Sequence, residues 1–356
     1  MSPDRFDVLE RFEPLVQPPE PSLERFLRRR DRKRRNQRLS AAAVGIAVFV
    51  VVVWILTNGG PFHHARIPAG RGPAIPSGPT GGAPIESVPF FLDLRSGAQI
   101  PLAGNLAGGL NYAASPDGTR LAYESNRSGG CSGSDVMTVA NTDGTDARTL
   151  ESPKGLTICA ARWSPDGTKL VYQERDGTSP DDVGSLFVHD LSSGDRTQLT
   201  DLPLSRAGWW FIPASFTPDG RSVIFHLAQD SSQNTKFDVW SVPATGGEPT
   251  MVLRNAAFPI PFPDGKRIAF LSPMNPDLTG RSIQIADATG SRRTLVEANG
   301  SIWWPTMSPD GSRIAYQDGG SIYVVDVSTG EASVVAEGGT AEWFDDETLI
   351  VAPGTG

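Results

Sequence analysis

Cysteine and histidine are scarce in this sequence, and that scarcity removes several kinds of chemistry. The 356 residues include two cysteines, Cys131 and Cys159, and four histidines. There is no CxxC pair and no His/Cys cluster, so a structural zinc site has no ligand set. His63 and His64 lie in a Pro/Gly-rich stretch, while His189 and His226 fall in predicted strands of different repeats. A Ser-His-Asp triad therefore lacks a base in a plausible position, and no G-x-S-x-G elbow supplies a nucleophile. The segments NTDGTD (Asn141 to Asp146) and SPDD (Ser179 to Asp182) offer oxygen ligands. Both lack the length and terminal Glu of a calcium loop and read as Asx turns. The expectation is a chain that is not an enzyme, with no metal and no cofactor.

Positive charge is the second shortage. Residues 1–38 hold eleven of the 32 Lys+Arg and seven of the 40 Asp+Glu, leaving 21 basic against 33 acidic residues for everything after Arg38. An acidic bulk disfavours nucleic acid as partner, because phosphate binding needs a basic surface.

Charge is also missing from LSAAAVGIAVFVVVVWIL, the eighteen residues from Leu39 to Leu56. As a helix this run spans about 27 Å and shows no polar stripe, so residues 39–57 read as a transmembrane helix. The preceding RRRDRKRRNQR (Arg28 to Arg38) has eight basic residues and one acid, whereas NGGPFHHAR follows. That asymmetry places the leader, residues 1–38, in the cytoplasm and the remainder outside. A cleaved signal peptide is the alternative, disfavoured by the long leader and by the lack of a small-x-small site close after Leu56. Residues 28–38 are suited to anionic lipid head groups. Phe6, Leu9 and Phe12, at helical spacing, could anchor a cytoplasmic partner. Residues 58–87, dense in Pro, Gly and Ser, read as a linker. Outside the membrane a Cys131–Cys159 disulfide could persist, and closing its loop would contribute roughly 3–4 kcal/mol. Two unrelated buried thiols are the other reading.

What the sequence has in abundance is one phrase, repeated. SPDGTRLAY starts at Ser115, SPDGTKLVY at Ser164, TPDGRSVIF at Thr217, FPDGKRIAF at Phe262 and SPDGSRIAY at Ser308; a worn copy, FDDETLIVA, starts at Phe344. In each intact copy Pro presets φ, Asp bonds back to nearby backbone, and Gly takes the corner that needs φ > 0, so the phrase is a hairpin turn followed by a short strand apolar on both faces. Two more strand signals joined by a Gly turn follow, as in SIYVVDVSTGEASVVA from Ser321, which makes four strands per repeat, the content of a propeller blade. The last copy stops after two strands. VPFFLDLRSGAQIPL, from Val88, has the form of the missing third and fourth. Joined, they close a ring without exposed sheet edges. The fold expected over residues 88–352 is thus all-β, a six-bladed β-propeller with a composite closing blade.

These copies, with the NTDGT turn at Asn141, resemble the TolB-like, WD-repeat-like β-propellers of bacteria over about three quarters of the chain. The resemblance implies a protein-interaction platform in the cell envelope. The chain departs from periplasmic TolB in its membrane anchor, its basic leader and its lack of a separate α/β domain.

In a propeller the innermost strands line a central channel, and the connections entering them open on the face opposite the SPDG turns. RAGWWFIPASF puts Trp209 and Trp210 at that entrance, and GSIWWPTM puts Trp303 and Trp304 there. Tyr112, Arg162 and Phe258 occupy comparable places in blades one, two and four, and Cys131 and Cys159 belong to connections on the same face. Tryptophans beside an arginine have the composition of an interaction hot spot, although in a regular strand only one residue of each Trp pair can face inward. The expected function is a non-catalytic, membrane-tethered platform for a protein or peptide. The alternative is an envelope sensor that binds a small ligand or glycan in the funnel and signals through the helix.

Overall fold

The computed structural model describes residues 88–102, 104–125, 136–152, 156–175, 183–200, 202–203, 214–228, 236–274, 280–297 and 302–352. All belong to the second of the chain's two units, residues 70–356. The leader, the apolar run at 39–57 and the linker lie outside the described residues. Among those described, no helix is long and apolar enough to cross a membrane.

Six sheets form the described part. The closing sheet, blade 6, contains β1 (Phe90–Asp93) and β2 (Gln99–Pro101) from the start of the described residues. Blade 1 holds β3 (Leu110–Ala114), β4 (Arg120–Glu124), β5 (Val136–Asn141) and β6 (Arg148–Glu151); blade 2 holds β7 (Thr157–Trp163), β8 (Lys169–Arg175), β9 (Val183–Asp190) and β10 (Arg196–Gln198). A short extra strand, β11 (Leu202–Pro203), pairs with β9. Blade 3 is β12 (Ala214–Phe216), β13 (Ser222–Ala228), β14 (Phe237–Pro243) and β15 (Thr250–Leu253); blade 4 is β16 (Ala257–Pro261), β17 (Arg267–Leu271), β18 (Ser282–Asp287) and β19 (Arg292–Glu297). Blade 5 is β20 (Ile302–Met307), β21 (Arg313–Asp318), β22 (Ser321–Asp326) and β23 (Ala332–Glu337), and blade 6 is completed by β24 (Thr340–Trp343) and β25 (Thr348–Ala352).

The ring closes as the sequence pattern requires. β1 pairs antiparallel with β25, Phe91 opposite Ile350, in the order β2-β1-β25-β24. The innermost strands touch in cyclic order: β3 meets β7, β7 meets β12, then β16, β20, β24 and β3 again.

Strand periodicity explains how each blade buries both faces. Successive side chains point to opposite sides, so in β25 Ile350 and Ala352 join the apolar cluster toward blade 1 while Leu349 and Val351 join the one toward blade 5. In β13, likewise, Val223, Phe225 and Leu227 pack toward blade 2, and Ile224 packs toward blade 4. Outer strands such as β19 and β23 are mostly exposed; β19 is largely polar, whereas β23 shows Val334 to solvent.

The SPDG phrase is a tight turn held by its own side chains. The Gly118 N–H donates to the Ser115 carbonyl at 2.8 Å, with Gly118 at φ 67°. Asp117 Oδ1 accepts from the Ser115 and Thr119 hydroxyls and the Thr119 N–H, and Ser115 Oγ accepts the Arg120 N–H. The Ser115 hydroxyl, helped by Thr119 and Arg120 and opposed by slight burial, holds the Asp117 carboxyl below its ordinary range. Its charged form therefore supports the fold above about pH 3.8, and that support is lost as pH falls through the lower folded value. Asp117→Ala is expected to cost about 1 kcal/mol at neutral pH, discounted for exposure, and less near pH 3. Denaturant melts at the two pH values check this.

Candidate functional site

The six innermost strands converge on a central cavity. It encloses about 810 Å³ of empty space, open solvent included. Every blade contributes to its wall: Asn111 and Tyr112 from β3, Ala160 and Arg162 from β7, Ala214 and Ser215 from β12, Phe258 to Ile260 from β16, Trp304 to Thr306 from β20, and Thr340 to Glu342 from β24.

Four of these strands break their regular geometry at the same place. Asn111, Ala160, Phe258 and Trp304, each four residues before the first residue of its turn, have φ of 49°, 54°, 51° and 52°. The pairing register shifts across each of them, between Leu110 and Ala113, Cys159 and Arg162, Ala257 and Ile260, and Trp303 and Thr306. These are bulges with a left-handed residue, a conformation that costs a non-glycine residue about 1–2 kcal/mol and re-aims its neighbours. In two blades the neighbouring blade supplies a partner for the twisted backbone. Glu124 Oε1 accepts the Ala160 N–H at 3.0 Å, and His226 Nδ1 accepts the Phe258 N–H at 2.8 Å. Glu124 and His226 stand nine residues after Ser115 and Thr217 respectively, the same position on the second strand of blades 1 and 3. His226 therefore has a structural task, and because Nδ1 is the acceptor its ring proton sits on Nε2.

The bulge at Trp304 sits between the two adjacent tryptophans and the turn. Trp304 lines the cavity, and both Trp303 and Trp304 are half-buried against the cluster shared by blades 3, 4 and 5. Tyr112 and Phe258 contribute to the wall but are buried, at 3% and 6% exposure. The Tyr112 hydroxyl donates to the Leu106 carbonyl, which is presented by a 3-10 turn at Gly104–Gly108. Arg162 is partly open to solvent and pairs with Glu342 across the cavity at 3.1 Å. Burial pushes the Glu342 carboxyl up, and Arg162 and the Thr306 hydroxyl draw it part of the way back. Trp209, Trp210 and Cys131 lie outside the described residues. Cys159 is buried in β7.

Sequence reasoning missed Glu342, Asn111, Ser215, Thr306 and Thr340. Counting back from each turn would have found them, since residues two and four before the turn face the cavity in most blades. With Arg162 they offer a carboxylate, a guanidinium, an amide and three hydroxyls beside Trp304 and Ile260. These groups can hydrogen-bond and pack against an extended ligand. Among the described residues, no three His, Cys, Asp or Glu side chains gather closely enough to hold a metal ion.

A structure from Agrobacterium tumefaciens described as TolB superposes on this ring with a TM-score of 0.58, covering 75% of this chain and 97% of that one at 16% identity. The ring has the β-propeller fold of that structure. A curated relative, the Tol-Pal system protein TolB of Hahella chejuensis, is 33% identical over 82 residues, which is 23% of this chain and 18% of the relative's length. The match thus spans less than a fifth of that relative's length. An oligogalacturonate lyase in complex with manganese shares the fold at a TM-score of 0.53, with 16% identity over 74% of this chain and 82% of its own. No family model matches the sequence.

Proposed function

We propose that this chain is a non-catalytic platform of the cell envelope, tethered by residues 39–57 with residues 1–38 in the cytoplasm, that binds a protein or peptide segment at the channel mouth. The observation that carries this reading is the convergence of four strained bulges on one cavity. Strain repeated at equivalent positions is retained where it shapes a site, and here it presents Asn111, Trp304 and the Arg162–Glu342 pair from separate blades. The mixed lining fits a peptide backbone with an apolar side chain better than it fits bond-breaking chemistry, because the cavity's one carboxylate is already ion-paired. The relatives named TolB agree with an envelope setting, and the basic stretch 28–38 would rest on anionic lipid head groups.

The test is photocrosslinking in the cell from positions 162 and 304, with Ser193, exposed in a turn on the opposite face, as control. The expected result is one discrete protein adduct from both mouth positions and none from 193. Adducts from 193 alone would move the interface to the turn face. Silence at all three, with saturable tryptophan quenching by oligosaccharide fragments, would replace the platform with a small-ligand sensor.

A further inference from the structure

Arg281 immediately precedes β18 and is 1% exposed. Its Nε and Nη1 have no hydrogen-bond partner among the described residues. Burial alone pushes its pKa down, to about 10. The guanidinium lies 4.4 Å from the centroid of the Trp303 ring and 5.2 Å from that of Phe258. His226 meets the same Phe258 ring at 5.1 Å, and its Nε2 is also buried without a partner among the described residues. The His226 Nε2 carries the ring proton, so three buried donors gather around Phe258 and the described residues bring them no acceptor. Cation–π contact returns part of the cost of burying a guanidinium but leaves its N–H groups unsatisfied.

We propose that Arg281, backed by Trp303 and Phe258 and flanked by His226, is a binding site for a carboxylate behind the Phe258 ring of the channel wall. A carboxylate brings acceptors only and balances one positive charge. Phosphate would need more charge than one arginine and a neutral imidazole provide. The carboxylate comes either from an acidic side chain of a bound peptide or from a free organic acid. The site goes beyond the platform reading and does not depend on it, because a small acid binds whether or not crosslinking finds a protein.

The full-length protein is titrated with acetate, with a capped peptide containing one Glu, and with the same peptide containing Gln. The readout is the fluorescence of Trp303, identified as the part of the signal that disappears in Trp303→Phe. A saturable response to acetate and to the Glu peptide, with silence for the Gln peptide, is expected and points to a peptide source; a response to acetate alone supports the site and points to a free acid. Arg281→Met, with an unchanged melting temperature, is expected to weaken binding by about tenfold or more. If that variant does not fold, Arg281→Lys keeps the charge, loses the planar set of donors, and is expected to bind more weakly than the wild type. No response to either carboxylate, or equal affinity in the Arg281 variant, overturns the proposal and leaves these donors to bound water.

Discussion

Trp163→Ala is expected to destabilise the propeller by about 3–5 kcal/mol, among the largest losses available to a single substitution in this chain. Trp163 sits just before the turn of blade 2, is 8% exposed, and belongs to an apolar cluster shared with blade 1 through Ala113, Ala122 and Met137. Its indole N–H donates to the Ala113 carbonyl at 2.9 Å, so truncation would leave a cavity and also an unsatisfied carbonyl in an innermost strand. Arg120 of blade 1 covers the ring, 4.7 Å from its centroid, and its Nη2 donates to the Gly167 carbonyl in the blade 2 turn. Trp163→Phe keeps most of the buried area and loses the N–H, for an expected cost of about 1–2 kcal/mol. Guanidinium melts with unchanged slope would measure both. A loss under 1 kcal/mol for alanine would show that this interface adds little to the ring.

The same clamp recurs where the residues permit. Trp343 donates to the Thr306 carbonyl across blades 5 and 6, and Arg313 lies over its ring while reaching the Asp346 carbonyl. Between blades 3 and 4 the equivalent positions are Ser222 and Pro261, and neither can form it. There a groove with about 1400 Å³ of empty space, open solvent included, separates the two blades on the turn face. Arg267, which could have filled part of it, instead lies over Phe262 and pairs with Asp264 in its own turn.

The parts of this fold that could be read in advance are those whose chemistry repeats. Pro, Asp and Gly must recur wherever the same turn recurs, and apolar runs must recur wherever a strand is covered on both faces. Ring closure followed from two half-blades at opposite ends of the repeat array. The bulges left no such mark. Their left-handed residues are Asn111, Ala160, Phe258 and Trp304, which share a backbone conformation and no side-chain type. The groups supporting two of them, Glu124 and His226, share a position and an acceptor atom but not an identity. Strand alternation allowed only one of Trp303 and Trp304 to face inward, and Trp304 alone of the two lines the channel, but the pattern gave no sign of which one or of the bulge that sets it. Tyr112 looked like a channel-mouth aromatic because the 3-10 turn that captures its hydroxyl has no pattern to announce it. Arg281 was silent because an isolated arginine before a strand is ordinarily exposed.

The bulge support leads to the second large expected effect. Glu124 is 1% exposed, and its Oε1 accepts both the Ala160 N–H and the Asn111 amide, the latter at 2.9 Å. Its Oε2 is buried with no partner among the described residues. Burial raises the Glu124 pKa, and the two hydrogen bonds and Arg162 offset only part of that rise. Glu124→Leu removes the acceptor while keeping the bulk, leaving a strained backbone N–H and an amide unsatisfied, at an expected cost on the order of 2–4 kcal/mol. Glu124→Gln keeps the Oε1 acceptor and removes the buried charge, so at pH 7 it is expected to stay within about 1 kcal/mol of the wild type. The pH dependence separates the charge from the hydrogen bonds. Because the folded pKa is raised, the wild-type carboxyl's contribution is fully present below about pH 4.5, its unfolded value, and is lost as pH rises through the folded value. The wild type should therefore gain on Glu124→Gln as pH falls from 7 toward 4.5, while Glu124→Leu stays below Glu124→Gln throughout. Denaturant melts of the three proteins at pH 4.5, 5.5 and 7 decide the matter. If Leu and Gln were equally stable, the bulge would stand without its acceptor, and the repeated strain at the channel would need another source of support.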